Sequence, residues 1–377
     1  MSQITTKGNK GEWTEIYVFL KLLADGKIYS ANPQMERIPT SFLNIIKIIR
    51  EEIRGKKFEY FTGQKIKIYL NGDLKNLPFS LDKSVFLKNA TELFSIIQSS
   101  NAASFAAPKI QSFLNSIFVN KLKPTGSDLT SDIELEIQDY NSGIQSEAGF
   151  SIKSDYSQKA TLFNASKNTN FVYEISNMSD SLMEAFNGTL VYRSSKPTIP
   201  IKARMDILKE NNCSLSYIGT NSYKDPVHDF AKANLVKAGG LELPQIVGEM
   251  LKVFYLRGIS SLSEIVKILA EEDPIGYFAS DKDVYYGKKV EDLVYNMFTG
   301  MRMSTMWDGR STVNGGYIIA KESGEILAFH TCFSDNFKKF LLNSLRLESA
   351  SCSRHDYCSI FKENDRFYIK LNLQIRF

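Results

Sequence analysis

Apolar and polar residues alternate on both sides of one turn in the middle of the chain, and this alternation predicts a β-hairpin. The first strand is apolar at positions 133, 135 and 137 and polar or acidic between them. The returning strand is apolar at positions 148, 150 and 152. Asn141-Ser142-Gly143 has the composition of the turn that joins them.

The register of this hairpin decides which polar side chains meet. Folding between Ser142 and Gly143 places Asp132 beside Lys153, on the face opposite the apolar residues. A register two residues away pairs Asp132 with Ser151 and keeps the lysine on the same face. In either register, an acid at the start of one strand lies near a lysine at the end of its partner.

Helical spacing of apolar residues marks most of the segment before the hairpin. The clearest helix is predicted over residues 11–26, where Gly26 suits the C-terminal cap and Glu12 and Glu15 occupy the first turn. The helix dipole favours acidic residues there, so their position alone assigns them no chemical role. The pattern also predicts helices over 41–53, 81–97 and 103–119 and a strand over 65–70.

The segments after the hairpin mix short strands with helices. Strands are predicted over 160–164 and 170–175, and the polar loop between them, residues 164–169, is either a phosphate-facing loop or a surface turn. Further elements are helices over 201–211, 226–237, 244–256, 260–271 and 333–345 and strands over 316–321, 326–330, 356–361 and 366–376. We predict an α/β fold with a mixed central sheet flanked by helices over 1–200. A mixed α+β region, helical and then β-rich, follows over 201–377.

Composition indicates a globular protein with a sizeable core. Of 377 residues, 43% are hydrophobic and 12% aromatic, and the net charge is only +4. This balance excludes a histone-like polycation but allows a local basic groove. Two acid-free stretches that contain lysines or arginines, residues 93–127 and 185–205, are candidate parts of such a groove.

The sequence predicts a cytoplasmic protein with no membrane segment. It contains no apolar run of spanning length, and its first residues lack the apolar core of a signal peptide. Four cysteines in a chain of this length do not form a disulfide framework. Cys352, His355 and Cys358 could bind zinc together with His330 and Cys332, but their spacing matches no common zinc module.

The acid and the lysine of the hairpin resemble the layout of the PD-(D/E)xK nucleases. That resemblance implies that Asp132 holds Mg²⁺, which activates a water, while Lys153 supports the nucleophile and the transition state. This chain departs from the pattern because the acid of the (D/E)xK triplet is Ser151. The alternative interpretation is an amphipathic hairpin with a solvated charged face.

A second carboxylate is needed to replace the missing acid, since a lone aspartate is a weak site for a hydrated divalent cation. Glu134 is the first candidate because it shares a face with Asp132 and would lie roughly opposite Ser151. Glu174, within an apolar run, is the second, and Glu15 would reach the site from the predicted first helix.

Five stretches together resemble the HpaII-type restriction endonucleases. They are residues 8–23 (GNKGEWTEIYVFLKLL), 131–133 (SDI), 149–154 (GFSIKS), 161–166 with 169–171 (TLFNAS and TNF) and 371–377 (LNLQIRF). The resemblance implies a restriction-endonuclease-like core over 1–200 and Mg²⁺-dependent double-strand cleavage of DNA at a short palindrome, CCGG. It also implies a companion cytosine DNA methyltransferase of a restriction-modification system. A palindromic target favours a homodimer, with a monomer acting on each strand in turn as the alternative.

Reading G·C pairs requires arginine or lysine for guanine and an acidic side chain for cytosine. The resemblance places most readout in the region 201–377, where Asp308, Arg310 and Arg354 are the candidate DNA contacts. Ser154, at the end of the GFSIKS stretch, is a further candidate.

Other functions fit the same sequence. A DNA-binding protein that lost its metal site would explain Ser151, and a repair nuclease of the same core would recognise DNA structure rather than sequence. A cytosolic module with no nucleic-acid role would show no salt-sensitive DNA binding. The chain contains no histidine nucleophile motif and no phosphate loop of the G-x-x-x-x-G-K-[ST] type.

Overall fold

The computed structural model describes residues 6–73, 79–124, 131–154, 161–193, 196–310, 314–331 and 334–377. The chain divides into two compact units. The first unit comprises Met1–Gln158 and Thr312–Phe337, and the second comprises Lys159–Ser311 and Lys338–Phe377. The predicted boundary near residue 200 does not coincide with this division.

The first unit contains the central sheet and the helices that cover it. Its helices are α1 (Lys10–Asp25), α2 (Lys83–Ser99) and α3 (Pro108–Ser116). Its strands are β1 (Lys7–Asn9), β2 (Lys27–Ala31), β3 (Arg37–Ile53), β4 (Lys56–Phe61), β5 (Lys65–Leu70), β6 (Phe79–Asp82), β7 (Ser104–Ala106), β8 (Ile133–Asp139), β9 (Gln145–Ser154), β15 (Gly316–Ala320) and β16 (Ile326–His330).

Nine of these strands form one mixed sheet in the order β2-β16-β15-β9-β8-β3-β4-β5-β6, and β2 also pairs with β3. The predicted hairpin is its β8–β9 pair, and β15 adds to β9 in parallel. The predicted mixed sheet flanked by helices is therefore confirmed.

Helix α1 is buried on most of its surface, as expected of a helix with few polar positions. Trp13, Ile16 and Leu20 are fully buried, and the helix contacts α2, β3 and β9. It ends where Gly26 adopts φ 68°, a left-handed conformation that glycine takes without strain. The helix predicted over 11–26 is confirmed to within one residue at each end.

The helix predicted over 41–53 is wrong, because these residues lie in the 17-residue strand β3. Its isoleucines have the β-branched side chains that pack well in sheets. β3 pairs with β2, β4 and β8, and these pairings override the helical spacing of its apolar residues. The structure also shortens the helix predicted over 103–119 to α3, preceded by β7.

The second unit combines helices with small sheets. Its helices are α4 (Asp180–Gly188), α5 (Ile201–Glu210), α6 (Phe230–Gly239), α7 (Leu243–Lys252), α8 (Leu262–Glu272), α9 (Lys282–Phe298) and α11 (Cys352–His355), and α10 (Ser334–Ser344) contains the passage from the first unit to the second. Its strands are β10 (Thr161–Phe163), β11 (Asn170–Ser176), β12 (Val191–Arg193), β13 (Lys196–Thr198), β14 (Ser214–Thr220), β17 (Arg346–Leu347), β18 (Ile360–Glu363), β19 (Arg366–Asn372) and β20 (Ile375–Arg376).

Two of these sheets join distant parts of the sequence. The order β14-β11-β19-β18 makes one sheet, and β10-β20-β17 makes another. β11 pairs with β14 and β19 rather than with the central sheet, which is why residues 161–200 belong to the second unit. Helices α4 and α9 and strand β14 have no counterpart among the predicted elements.

Among the described residues, no helix is both long enough and apolar enough to cross a membrane.

Candidate active site

The hairpin adopts the second of the two predicted registers. The ladder ends with Ile133 opposite Phe150, which is the offset of the register that pairs Asp132 with Ser151. The Asp132 amide donates to the Phe150 carbonyl at 2.9 Å. The register with Asp132 beside Lys153 is wrong, because the turn is centred one residue earlier than that register requires. Across this turn, the Gly143 amide donates to the Asp139 carbonyl.

Asp132, Ser151 and Lys153 form a connected polar cluster at the end of the hairpin. Ser151 Oγ and the Ile152 amide both donate to Asp132 Oδ2, at 2.8 and 2.7 Å. Lys153 Nζ donates to Ser151 Oγ at 3.2 Å and lies 4.0 Å from Asp132 Oδ2. The serine thus links the aspartate to the lysine through one carboxylate oxygen and leaves the other, Oδ1, on the far side of the carboxylate.

Close backbone packing fixes the strand that carries Ser151. The Gly149 amide donates to Asn314 Oδ1 at 2.8 Å, and the Gly315 amide donates to the Gly149 carbonyl at 2.9 Å. A Cβ atom at Gly149 would lie 2.8 Å from both Cβ and Oγ of Ser131. Only glycine therefore allows the strand to approach the residue that precedes Asp132.

Helix α1 gives Glu12 and Glu15 different roles, because only Glu12 lies in its first turn. The Asn9 side chain accepts from the Glu12 amide at 3.0 Å, and Glu12 Oε2 accepts from the Asn9 amide at 2.9 Å. This is a capping box, in which the acid satisfies the helix terminus. Glu15, one turn later, accepts no hydrogen bond from the described residues and is the acid left available.

Glu15 is electrostatically coupled to the hairpin cluster. Burial raises the pKa of its carboxyl group to about 7, and the charge of Asp132 contributes to this rise, whereas Lys123 and Lys153 oppose it. An acid with a raised pKa beside a second acid is typical of sites that bind a cation or exchange a proton. Lys123 was not singled out as a site residue, although it lies in an acid-free stretch.

A buried ion pair anchors the segment that carries Lys123. Arg50 and Glu52 pair with each other and are 6% and 2% exposed. Arg50 Nη2 donates to the carbonyls of Lys121 and Leu122, and Glu52 Oε2 accepts from the Asn120 amide. The backbone just before Lys123 is therefore held firmly.

The other predicted carboxylates have different surroundings. Glu134 lies opposite Gly149 rather than opposite Ser151, and it lines a cavity of about 410 Å³ together with Glu147. Glu174 lies on β11 in the second unit, where it pairs with Arg366 at 3.2 Å.

The candidate DNA contacts lie at separate places in the chain. The Asp308 carboxylate accepts from the Arg310 amide at 2.9 Å, and the Arg310 carbonyl accepts from Trp307 Nε1. The side chain of Arg354 is exposed at the end of α11. Ser154 is half-buried at the end of β9, opposite Ala320.

The donor set suits Mg²⁺ better than zinc. Within the described ranges, no three aspartate, glutamate, histidine or cysteine side chains converge as a metal cluster, and Cys332 lies outside those ranges. Mg²⁺ usually takes one or two carboxylates and fills its other positions with water and substrate phosphate. Asp132 and Glu15 offer such a pair.

Comparison with known proteins relates nearly the whole chain to one group of enzymes. Residues 9–377 match the family model described as HpaII restriction endonuclease. The chain is 31% identical over 378 residues to the type II restriction enzyme HpaII of Haemophilus parainfluenzae, covering 98% of each chain. No solved structure gives a significant match.

Proposed function

This chain belongs to the HpaII restriction endonuclease family and is a site-specific deoxyribonuclease, and from that premise we propose that it makes Mg²⁺-dependent double-strand cuts at CCGG. The observation that carries the proposed cleavage is the Asp132–Ser151–Lys153 cluster, an acid and a lysine joined through a serine at the end of the hairpin. The CCGG target is proposed from the resemblance to the HpaII-type enzymes.

Asp132 is the proposed primary ligand of the cation. Its Oδ2 atom is fixed by two donors, so Oδ1 can face a cation without the side chain having to reorient. When bound, Mg²⁺ lowers the pKa of a coordinated water and offsets the charge of the reacting phosphate.

Glu15 is the proposed second ligand. Its carboxyl group carries a raised pKa and accepts no hydrogen bond from the described residues, so cation binding would relieve an unfavourable environment. Glu134 and Glu174 remain the alternatives. Glu174 already has an arginine partner, which makes it less available than Glu15.

Lys153 is the proposed electrostatic partner of the scissile phosphate. Its side chain is 41% exposed, so its ammonium group can exchange the Ser151 hydroxyl for a phosphate oxygen. A positive charge at that position stabilises the transition state and orients the attacking water. Ser151 keeps the aspartate and the lysine apart in a fixed geometry.

The remaining proposals concern DNA recognition and the biological setting of the enzyme. Arg310 and Arg354 would read guanine, Asp308 would accept from cytosine N4, and Ser154 would contact the DNA backbone. The protein would act in the cytoplasm as a homodimer, and a companion cytosine methyltransferase would protect the host DNA.

Digestion of unmethylated plasmid with the purified protein, in Mg²⁺ and in EDTA, tests this function when the fragment ends are sequenced. We expect discrete Mg²⁺-dependent fragments that end at CCGG. Ends at another sequence would discard the CCGG assignment, and ends without any common sequence would indicate a structure-specific nuclease. Salt-sensitive binding without cleavage would indicate a DNA-binding protein with a lost metal site.

A further inference from the structure

Two sequence stretches that the catalytic cluster does not use meet in the second unit. The loop 164–169 follows β10, and the LNLQIRF stretch contains the end of β19 and all of β20. β10 pairs with β20, and Asn170 lies directly opposite Asn372 in the β11–β19 ladder. The sheet therefore brings both stretches to one place.

A buried amide network joins the two stretches. Asn372 Nδ2 donates to the Ser166 carbonyl at 2.8 Å, to Thr169 Oγ1 at 3.0 Å and to Asn170 Oδ1 at 2.6 Å. Asn170 and Asn372 are 0% and 1% exposed. Ser166 and Thr169 also cap the short 3₁₀ turn Lys167–Thr169 between them. This network gives the loop 164–169 a fixed shape.

The same network reaches a second loop. Asn170 Nδ2 donates to the carbonyls of His355 and Asp356, at 2.9 and 3.2 Å. These residues end α11 and belong to the turn that carries Arg354. One buried asparagine thus fixes the loop 164–169 and the turn 353–356 relative to each other.

The network positions the two loops even though one of its acceptors is unsatisfied. Asn372 Oδ1 is buried and accepts no hydrogen bond from the described residues, and such an unsatisfied acceptor is unfavourable. The amide groups nevertheless donate to loop carbonyls, those of Ser166, His355 and Asp356, which apolar side chains would leave without these donors. Amide groups held in a fixed geometry are what a recognition loop needs for its support.

The surface held by this network has the chemistry of a nucleic-acid contact. Lys167, Asn168 and Arg354 are exposed, and none of the three has an ion pair or side-chain hydrogen bond within the described part of the chain. Residues 161–173 contain no acid, and the Asp356 carboxylate is paired with Lys370 at 3.4 Å. Arginine fits the acceptor pair of guanine, and lysine and asparagine contact phosphates.

We propose that Lys167, Asn168 and Arg354 form one DNA-reading surface, in which Arg354 pairs with a guanine of the target and Lys167 and Asn168 hold the adjacent phosphates. Asn170 and Asn372 are positioning residues that set the two loops for this contact. The inference rests on the proposed function and names part of its specificity.

The test compares the affinities of the full-length protein for two short duplexes in EDTA, one with the target sequence and one with a single exchanged base pair. R354A should weaken target binding by about 10- to 100-fold and change mismatch binding little. R354K, which keeps the charge and spares the fold, should lose the same discrimination because lysine lacks the planar fork.

Two further variants separate phosphate contacts from base reading. K167A should weaken binding to both duplexes equally and reduce the salt dependence by about one ion. R257A removes an exposed arginine that pairs with Glu272 and should leave both affinities unchanged. N170A should lower the ratio of target to mismatch affinity. Its effect on mismatch binding itself should be smaller.

The inference is overturned if wild-type protein cleaves at its target and both Arg354 variants keep the wild-type ratio of target to mismatch affinity. Failure of the proposed function looks different, because wild-type protein would then show no Mg²⁺-dependent cleavage and no preference for either duplex. If sequenced fragment ends give a target other than CCGG, that sequence replaces it in the duplexes.

Discussion

The Ser151 hydroxyl donates a 2.8 Å hydrogen bond to Asp132 Oδ2 while accepting one from Lys153 Nζ. The position that is acidic in the usual (D/E)xK triplet is therefore occupied by a neutral bridge between the aspartate and the lysine. A carboxylate at this distance from Asp132 would repel it. The serine is thus compatible with an active site, provided that another acid completes the cation site.

Replacing Ser151 with alanine removes both hydrogen bonds of this bridge. We expect S151A to cleave target DNA about 10- to 100-fold more slowly, since side chains that orient a metal ligand usually contribute by this amount. Single-turnover cleavage in Mg²⁺ measures the effect. S146A, which changes an exposed serine on the same strand, is the control and should cleave at the wild-type rate. Equal rates for S151A and wild type would show that the bridge has no role.

Glu15→Gln should abolish most cleavage, because it removes the proposed second ligand. In EDTA the same change should stabilise the protein at pH 8. The folded-state pKa of about 7 lies above the ordinary value, so ionising Glu15 disfavours the folded state as pH rises from about 4.5 to 7. The gain at pH 8 should be about 2 kcal/mol, reduced from the full shift by partial exposure.

Urea unfolding at pH 4 and pH 8 measures this effect of Glu15. At pH 4 Glu15 is mostly protonated in the folded and the unfolded state, and E15Q should match wild type there. E92Q, on α2, is the control for an ordinary surface glutamate and should change stability little at either pH. An E15Q variant that cleaves normally would transfer the second-ligand role to Glu134 or Glu174.

Gly149→Ala tests the close approach beside Asp132. Its new Cβ would lie 2.8 Å from Ser131, so the chain must shift just before the aspartate. We expect a loss of about 1–3 kcal/mol in stability and cleavage slower by roughly tenfold or more. Gly188→Ala, where a Cβ meets nothing within 4 Å, is the matched control. Unchanged cleavage by G149A would mean that the position of Ser131 does not affect the site.

Glu52→Gln tests the anchor of the Lys123 segment. Removing the carboxylate leaves Arg50 buried without its charge partner, which should cost about 3 kcal/mol. Thermal unfolding measures the change. Glu51→Gln, at the neighbouring half-buried position, should cost much less, and an equal loss in both variants would contradict a special role of the buried pair.

The sequence predicted the hairpin because both of its strands alternate cleanly. Its register could not be fixed, since a shift of two residues keeps every side chain on its own face. The turn geometry around Asp139 and Gly143 decided between the two registers. Both registers bring Asp132, Ser151 and Lys153 close together, and the three side chains are joined by hydrogen bonds in the structure.

Strand β3 shows why other elements were missed. Its apolar residues fit helical spacing, and only pairing with β2, β4 and β8 makes it a strand. The pairing of β3 with β8 connects residues far apart in the chain and leaves no local signal. The same holds for the Asn170–Asn372 contact, which joins positions 202 residues apart.

The preference for Glu15 over Glu12 has a local basis in the sequence. Asn9 and Glu12 have the spacing of a capping box, which accounts for Glu12 and leaves Glu15 for chemistry. The electrostatic influence of Lys123 on Glu15 had no local signal beyond the absence of acids around it.

The most direct test of the account is single-turnover cleavage by D132N, measured with target DNA in Mg²⁺ alongside binding in EDTA and the circular dichroism spectrum. We predict cleavage slower by roughly 10³-fold, with an unchanged spectrum and wild-type DNA binding, because the substituted amide would keep the hairpin but not the charge that holds the cation. D25N, which changes the last residue of α1, is the control and should cleave at the wild-type rate. A folded D132N protein that cleaves at the wild-type rate would contradict the assignment of the hairpin as the active site.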